Sequence, residues 1–144
     1  MDEDGFPQVC AVFYALSLDT TLVFLSSVST RHGQALLSGQ PSARCSFTAQ
    51  KDDQTWDAIT GIQGQGTCHR LEGTARDEAR TVYAARFPFV ADTPHLAQAL
   101  SAADYWEVLP HWLRLIDNSR GFGHKSEWTR ETPCRPAPCT GPRR

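Results

Sequence analysis

Two apolar runs of strand length, residues 9–17 and 22–28, stand on either side of a short polar turn, Asp19-Thr20-Thr21. Runs this close together have one simple solution, an antiparallel hairpin, because a parallel pair needs a crossover of about a dozen residues or more. Val9, Cys10, Ala11, Val12, Phe13 and Tyr14 are nearly all apolar, which predicts a strand buried on both faces. Further on, Ala43, Cys45, Phe47 and Ala49 alternate with Arg44, Ser46, Thr48 and Gln50, the signature of a half-buried strand. Asp52-Asp53-Gln54 turns the chain, and residues 55–71 read as a long strand with Gly61, Gly64 and Gly66 marking a bend or bulge. Residues 105–109 and 112–116 read as two more strands interrupted by Pro110, and 117–123 is rich in turn residues.

Helices are inserted between these strands. One runs from Ser29-Thr30-Arg31-His32 to about Ser38 and is ended by Gly39 and Pro41. A second spans 75–86 with Thr74 as its cap and Ala79, Val82, Tyr83 and Arg86 on one face. A third opens at Thr93-Pro94 and has Leu96, Ala99 and Leu100 as its apolar side. An antiparallel meander with inserted helices predicts a mainly β small barrel rather than a doubly wound sheet. The 144 residues make one domain, here residues 1–131, followed by a Pro/Arg-rich tail at 132–144 expected to be disordered.

Charge narrows the partners. The net charge is −2, so no basic excess exists to neutralise a phosphate backbone, and nucleic acid is not an expected partner. The longest apolar runs fall far short of the ~20 residues that span a bilayer, and the acidic start Met1-Asp2-Glu3-Asp4 lacks a signal-peptide pattern, so a cytoplasmic protein without membrane partners is expected. The cations are 12 Arg against only Lys51 and Lys125. Cys10, Cys45 and Cys68 lie in apolar or strand-like contexts and are expected in the core. Cys134 and Cys139 lie in the tail without ligands at zinc spacing, and His69, His95 and His111 are isolated in sequence, so no metal site is expected. Trp106, Trp112 and Trp128 are expected in the core or a dimer interface, with Trp106 also a candidate for stacking on a flat ligand.

The segment with the most chemistry is Phe24-Leu25-Ser26-Ser27-Val28-Ser29-Thr30-Arg31-His32. A strand delivers a polar turn into a helix start, where unpaired N–H groups and the positive end of the dipole suit a phosphate. Ser29 and Thr30 add hydroxyls and Arg31 is a bidentate phosphate donor. The same residues also make a plain Ser/Thr N-cap beside a solvated arginine.

The run Phe-Leu-Ser-Ser-Val-Ser-Thr-Arg-His-Gly-Gln-Ala-Leu resembles the flavin mononucleotide (FMN)-binding split-barrel superfamily, of which pyridoxamine 5'-phosphate oxidase is the familiar member. Leu25-Ser26 fall at that superfamily's Tyr-Thr pair, Thr30-Arg31-His32 at its Ser-Arg-Lys, and Pro41 at its Pro. More closely, the chain resembles the uncharacterised bacterial YhbP-like family. Asp117-Asn118-Ser119-Arg120-Gly121-Phe122-Gly123-His124-Lys125 with Trp128, Gly61-Ile62-Gln63-Gly64, Arg70-Leu71-Glu72-Gly73 and Tyr83 with Arg86-Phe87-Pro88 carry that likeness, which runs from about Phe6 to Arg130.

The resemblance implies an FMN-binding split β-barrel with peripheral helices, a homodimer with flavin at the subunit interface, and an oxidoreductase acting on an unknown small molecule. The alternative is a non-catalytic dimeric ligand-binding or structural module of the same fold. By the same resemblance, Cys10, Ala11, Val12, Phe13 and Tyr14 would run along the isoalloxazine and ribityl chain. Leu25 and Ser26 would continue that wall, and Thr30, Arg31 and His32 would hold the phosphate. Gln63 would reach the ring edge, Trp106 would stack on it, and Arg114, in Arg-Leu-Ile-Asp with Asp117, would face substrate. The sequence does not distinguish FMN from a deazaflavin or haem. Against the family pattern, an N-terminal helix and first strand are missing before Pro7, so they either lie upstream of Met1 or have been lost. His32 stands where the family has Lys, which weakens the phosphate site when the imidazole is neutral.

Overall fold

The computed structural model describes residues 5–131. Its strands are β1 (Tyr14–Leu16), β2 (Leu22–Leu25), β3 (Ala43–Gln50), β4 (Thr60–Arg70), β5 (Tyr105–Asp117) and β6 (Lys125–Thr129). Its helices are α1 (Arg31–Ser38), α2 (Gly73–Arg86), α3 (Pro88–Asp92) and α4 (Pro94–Ala102). The strands form one antiparallel sheet in the order β1-β2-β5-β4-β3, with β6 on the second half of β5. The architecture is mainly β with peripheral helices, as the meander of apolar and alternating runs predicts.

The sheet buries both faces where β2 crosses β5. On one face Ala15, Val23 and Tyr105 pack against Ala79 and Tyr83 of α2 and Leu100 of α4. On the other Phe24, Ala43, Cys68, Trp106 and Val108 make the barrel interior, with Leu36 and Leu37 of α1 against them. Alternation along β2 and β5 sends neighbouring side chains to opposite cores, so Val23 and Phe24, like Tyr105 and Trp106, serve different layers.

Several expected boundaries are corrected. The strand expected at 9–17 shrinks to Tyr14–Leu16. Tyr14 pairs with Phe24 and β2 ends at Leu25, so the ladder between the two strands stops at Tyr14. The second run ends at Leu25 rather than 28: the Ser26 N–H still donates to the Asp104 carbonyl in register with β5, and beyond it the chain turns into the Thr30 cap of α1. The strand expected at 55–71 begins only at Thr60, after a turn in which the Gln54 side chain accepts the Thr60 N–H.

Pro110 does not divide a strand. β5 runs through it because the register shifts there: Gln65 faces Trp112 while Gly66 faces Pro110. The bulge takes the place of the ladder bond that proline cannot make. Gly66 is needed at that point, since a Cβ would lie 2.3 Å from the Leu109 carbonyl oxygen. α2 starts at Gly73 with Glu72 at the cap and no side-chain cap bond, so Thr74 is inside the helix. The short α3 and the strand β6 were not expected from the sequence; Thr93-Pro94 opens α4 as expected. The tail at 132–144, with Cys134 and Cys139, lies outside the described residues.

Candidate functional site

The end of β2 and the first turn of α1 form a polar corner. Thr30 is the N-cap: its hydroxyl oxygen accepts the Gly33 N–H at 3.1 Å and its O–H donates to the Ser27 carbonyl at 2.8 Å. Three side chains meet there. Ser26 Oγ and His32 Nε2 share a hydrogen bond at 2.5 Å, His32 Nε2 lies 3.2 Å from Thr30 Oγ1, and Ser26 Oγ lies 3.3 Å from Thr30 Oγ1. Arg31 is exposed as the first residue of α1. Thr30 spends its proton on Ser27, so it serves as a cap rather than a donor to a ligand. Ser29 shares its hydroxyl bond with Ser27 instead of facing the corner. The groups suited to an anion are the Ser26 hydroxyl, the His32 imidazole and the Arg31 guanidinium, at a helix N-terminus whose dipole favours negative charge.

A shallow groove of about 340 Å³, lined by Leu25, Ser26, Ser27, Ala99, Ala103 and Asp104 among others, shares Ser26 with this corner. Asp104 was not singled out in the sequence. Its Oδ2 accepts the Val28 N–H at 3.0 Å and its Oδ1 accepts from Arg70 at 2.6 Å. Burial alone pushes its carboxyl up, but the Val28 N–H bond and the Arg70 guanidinium outweigh that and hold it below the usual carboxylate range.

The other expected site residues are dispersed. Cys10, Ala11, Val12 and Phe13 lie on an exposed segment without ladder pairing, and Tyr14 begins β1. Phe13 is 69% exposed, although its ring edge meets Phe87. Cys10 is exposed, which corrects the expected core position, because the strand that was to bury it does not form. Cys68 is in the core and burial pushes its thiol up to about 12.

Trp106 is also corrected as a stacking surface for a ligand: its ring is fully enclosed, stacks on Phe24, and its indole N–H donates to the Ser26 carbonyl at 2.9 Å. It supports the corner from beneath. Gln63 and Arg114 face each other across β4 and β5. Arg114 is six residues beyond the last β5 residue that pairs with β2. At the strand rise that is about 20 Å along the sheet, so within one chain the pair is not part of the corner. Arg114 is bound to Glu127 at 2.7 Å and lies over the Trp112 ring.

The Asp117–Lys125 motif makes a braced turn. Asn118 donates to the Trp56 carbonyl at 2.7 Å and accepts the Gly123 N–H at 3.0 Å. Phe122 is 85% exposed and touches Trp56 edge-on, so the turn presents this ring to solvent. No group of three or more His, Cys, Asp or Glu is placed to hold a metal among the described residues, and no helix among them is long and apolar enough to cross a membrane.

No family model matches the chain. It is 37% identical over 131 residues to the UPF0306 protein YhbP of Escherichia coli O157:H7, covering 90% of this chain and 82% of that protein. It is 36% identical over 124 residues to a UPF0306 protein of Klebsiella pneumoniae, covering 85% of this chain and 77% of that one. Among solved structures it is similar to the conserved hypothetical protein Rv2991 from Mycobacterium tuberculosis, with a TM-score of 0.66 and 19% identity over 83% of this chain and 74% of that one. It is also similar to a heme binding protein from Mycobacterium smegmatis, with a TM-score of 0.62 and 22% identity over 90% of this chain and 50% of that one. These likenesses identify the fold as the split barrel expected from the sequence.

Proposed function

The chain belongs to the UPF0306 family, and from that premise we propose that it is a ligand-binding split barrel whose ligand is FMN, held by its phosphate at the α1 corner. The observation that carries this reading is the convergence of Ser26 and His32 at a helix N-terminus whose first residue is Arg31. The donor set fits a phosphate: one hydroxyl, one imidazole that becomes a double donor when protonated, and one permanently charged guanidinium. Leu25 and the groove beside Ser26 offer an apolar wall for the part of the ligand beyond the phosphate. Bound flavin would supply hydride and electron transfer, while the chain's own residues bind and orient it.

Homodimerisation belongs to the same proposal. Phe6, Val9, Phe13 and Leu18 at one end, and Trp56, Ile59, Ile62 and Trp128 toward the other, are exposed in the single chain. Apolar surface of this kind marks an interface, and a second copy would cover it and complete the wall of the flavin site. Gln63 and Arg114, remote from the corner in one chain, would then be candidates for the partner's ring or substrate end. An oxidoreductase acting on a small molecule in the cytoplasm follows as the activity. The second reading, a non-catalytic ligand-binding module, draws on the neighbour described as a heme binding protein.

The test is a titration of FMN and riboflavin against the wild type and Arg31→Ala, with the mass in solution measured in parallel. Charge-assisted bonds contribute about 1.5–3 kcal/mol, so Arg31→Ala should weaken FMN by roughly ten- to a hundred-fold and riboflavin much less. An unchanged preference for the phosphorylated form in Arg31→Ala removes the phosphate from this corner. Haem binding without flavin binding would favour the second reading.

A further inference from the structure

We propose that Asp104 is a positioning residue for the anion corner: it sets the Ser26–Thr30 loop so that Ser26 and His32 converge, although its own charge opposes the ligand. The inference rests on the phosphate reading of that corner. The loop between β2 and α1 is fastened to the start of β5 at three points. Ser26 N–H donates to the Asp104 carbonyl at 3.1 Å, Val28 N–H donates to Asp104 Oδ2 at 3.0 Å, and the Trp106 indole donates to the Ser26 carbonyl at 2.9 Å. The first and third bonds hold Ser26 only. The Val28 bond is the one made by a carboxylate, and it fixes the middle of the loop, from which Ser27 O and Val28 O receive Thr30 and Gln34.

Asp104 is itself fixed. Arg70, at the end of β4, donates both Nε and Nη2 to Oδ1 at 3.2 and 2.6 Å, leaving Oδ2 aimed at Val28. The Arg70 guanidinium also lies 3.7 Å from Glu72. A paired carboxylate accepting a backbone N–H is a stronger tether than a neutral side chain supplies. Without it the loop keeps only its Ser26 fastening to β5, and the 2.5 Å bond between Ser26 and His32 is no longer held by β5 on both sides.

The electrostatic expectation has the opposite sign, which makes the inference testable. Removing Asp104 deletes a negative charge beside the groove and frees the Arg70 guanidinium, so attraction alone would tighten an anionic ligand. Positioning requires that it weaken. The experiment titrates FMN and riboflavin into the wild type, Asp104→Ala, Asp104→Asn and Arg31→Ala, with folding of each variant checked by its thermal transition. Loss of a hydrogen bond to a charged group predicts that Asp104→Ala lowers the FMN-to-riboflavin affinity ratio by about ten-fold. Asp104→Asn keeps an oxygen for the Val28 N–H and should retain more of the ratio than Asp104→Ala; if the latter does not fold, Asp104→Asn is read against the wild type, where a lowered ratio supports the role and an unchanged or raised one overturns it. A ratio that is unchanged or raised in both Asp104 variants, while Arg31→Ala still lowers it, overturns the positioning role and leaves the phosphate reading standing. A wild type that does not prefer FMN to riboflavin overturns both.

Discussion

Gly33→Ala tests how closely α1 is packed beneath its own loop. Alanine in a helix interior normally stabilises relative to glycine by roughly 0.5–1 kcal/mol. Here a Cβ on residue 33 would lie 2.3 Å from the Ser27 carbonyl oxygen and 2.9 Å from Thr30 Oγ1. Ordinary carbon–oxygen contact is about 3.3 Å, so the carbonyl must retreat by about 1 Å. That carbonyl accepts both the Thr30 N–H at 3.1 Å and the Thr30 hydroxyl at 2.8 Å. Losing the two bonds costs about 2 kcal/mol. Overpacking adds about 1–3 kcal/mol, and the helix preference returns up to about 1. The net destabilisation is about 2–4 kcal/mol, read by urea unfolding or as a drop in melting temperature on the order of 10 °C. The loop shift also separates Ser26 from His32, so FMN affinity should fall with stability. A Gly33→Ala variant as stable as the wild type, or more so, would show that the loop does not lie against the helix as described.

Other outcomes follow from the same contacts. Trp106→Phe leaves the Ser26 carbonyl without its indole donor and opens a small void, and should lower unfolding free energy by about 2–3 kcal/mol in a denaturant titration. Asn118→Ala removes bonds to Trp56 and Gly123 and should cost about 2 kcal/mol, whereas Phe122→Ala, cutting an exposed ring, should cost under about 1. Asp104 has its carboxyl lowered in the folded state, so its contribution is present above the unfolded value near 3.9 and is lost as pH falls through the folded one; acid titration of stability should show less loss below about pH 4 in Asp104→Asn than in wild type. Alkylation with peptide mapping should modify exposed Cys10 in the native protein well before Cys68, whose thiol is buried and pushed up to about 12.

The sheet was readable where local pattern and burial agree. β3 alternates along its whole length because one face meets the barrel interior and the other meets solvent. The apolar run at 9–17 was over-read because apolarity records that a residue avoids water, not what covers it. Its ladder on β2 covers only Tyr14–Leu16, and β2 itself ends at Leu25, a limit set by strand pairing that the run's own residues do not encode. Pro110 looked like a break because its partner Gly66, which absorbs the missing bond in a bulge, is 44 residues earlier. The α1 corner was legible because its residues are local: strand end, polar turn, cap and Arg31 follow in order. Asp104 and Arg70 were not, because neither has a local motif and their role arises from strand pairing. Ser29 and Thr30 lie on the turn where the local pattern puts them, but their hydroxyls are taken up by Ser27, whose bonds to both no residue pattern records.

The most direct measurement is a crystal structure of the chain grown with FMN. The account predicts the ligand's phosphate within hydrogen-bond distance of Ser26 and His32, at the first turn of α1 beside Arg31, with the ring running past Leu25 toward a second copy of the chain. A phosphate bound elsewhere, or crystals that exclude FMN at saturating concentration, would contradict it.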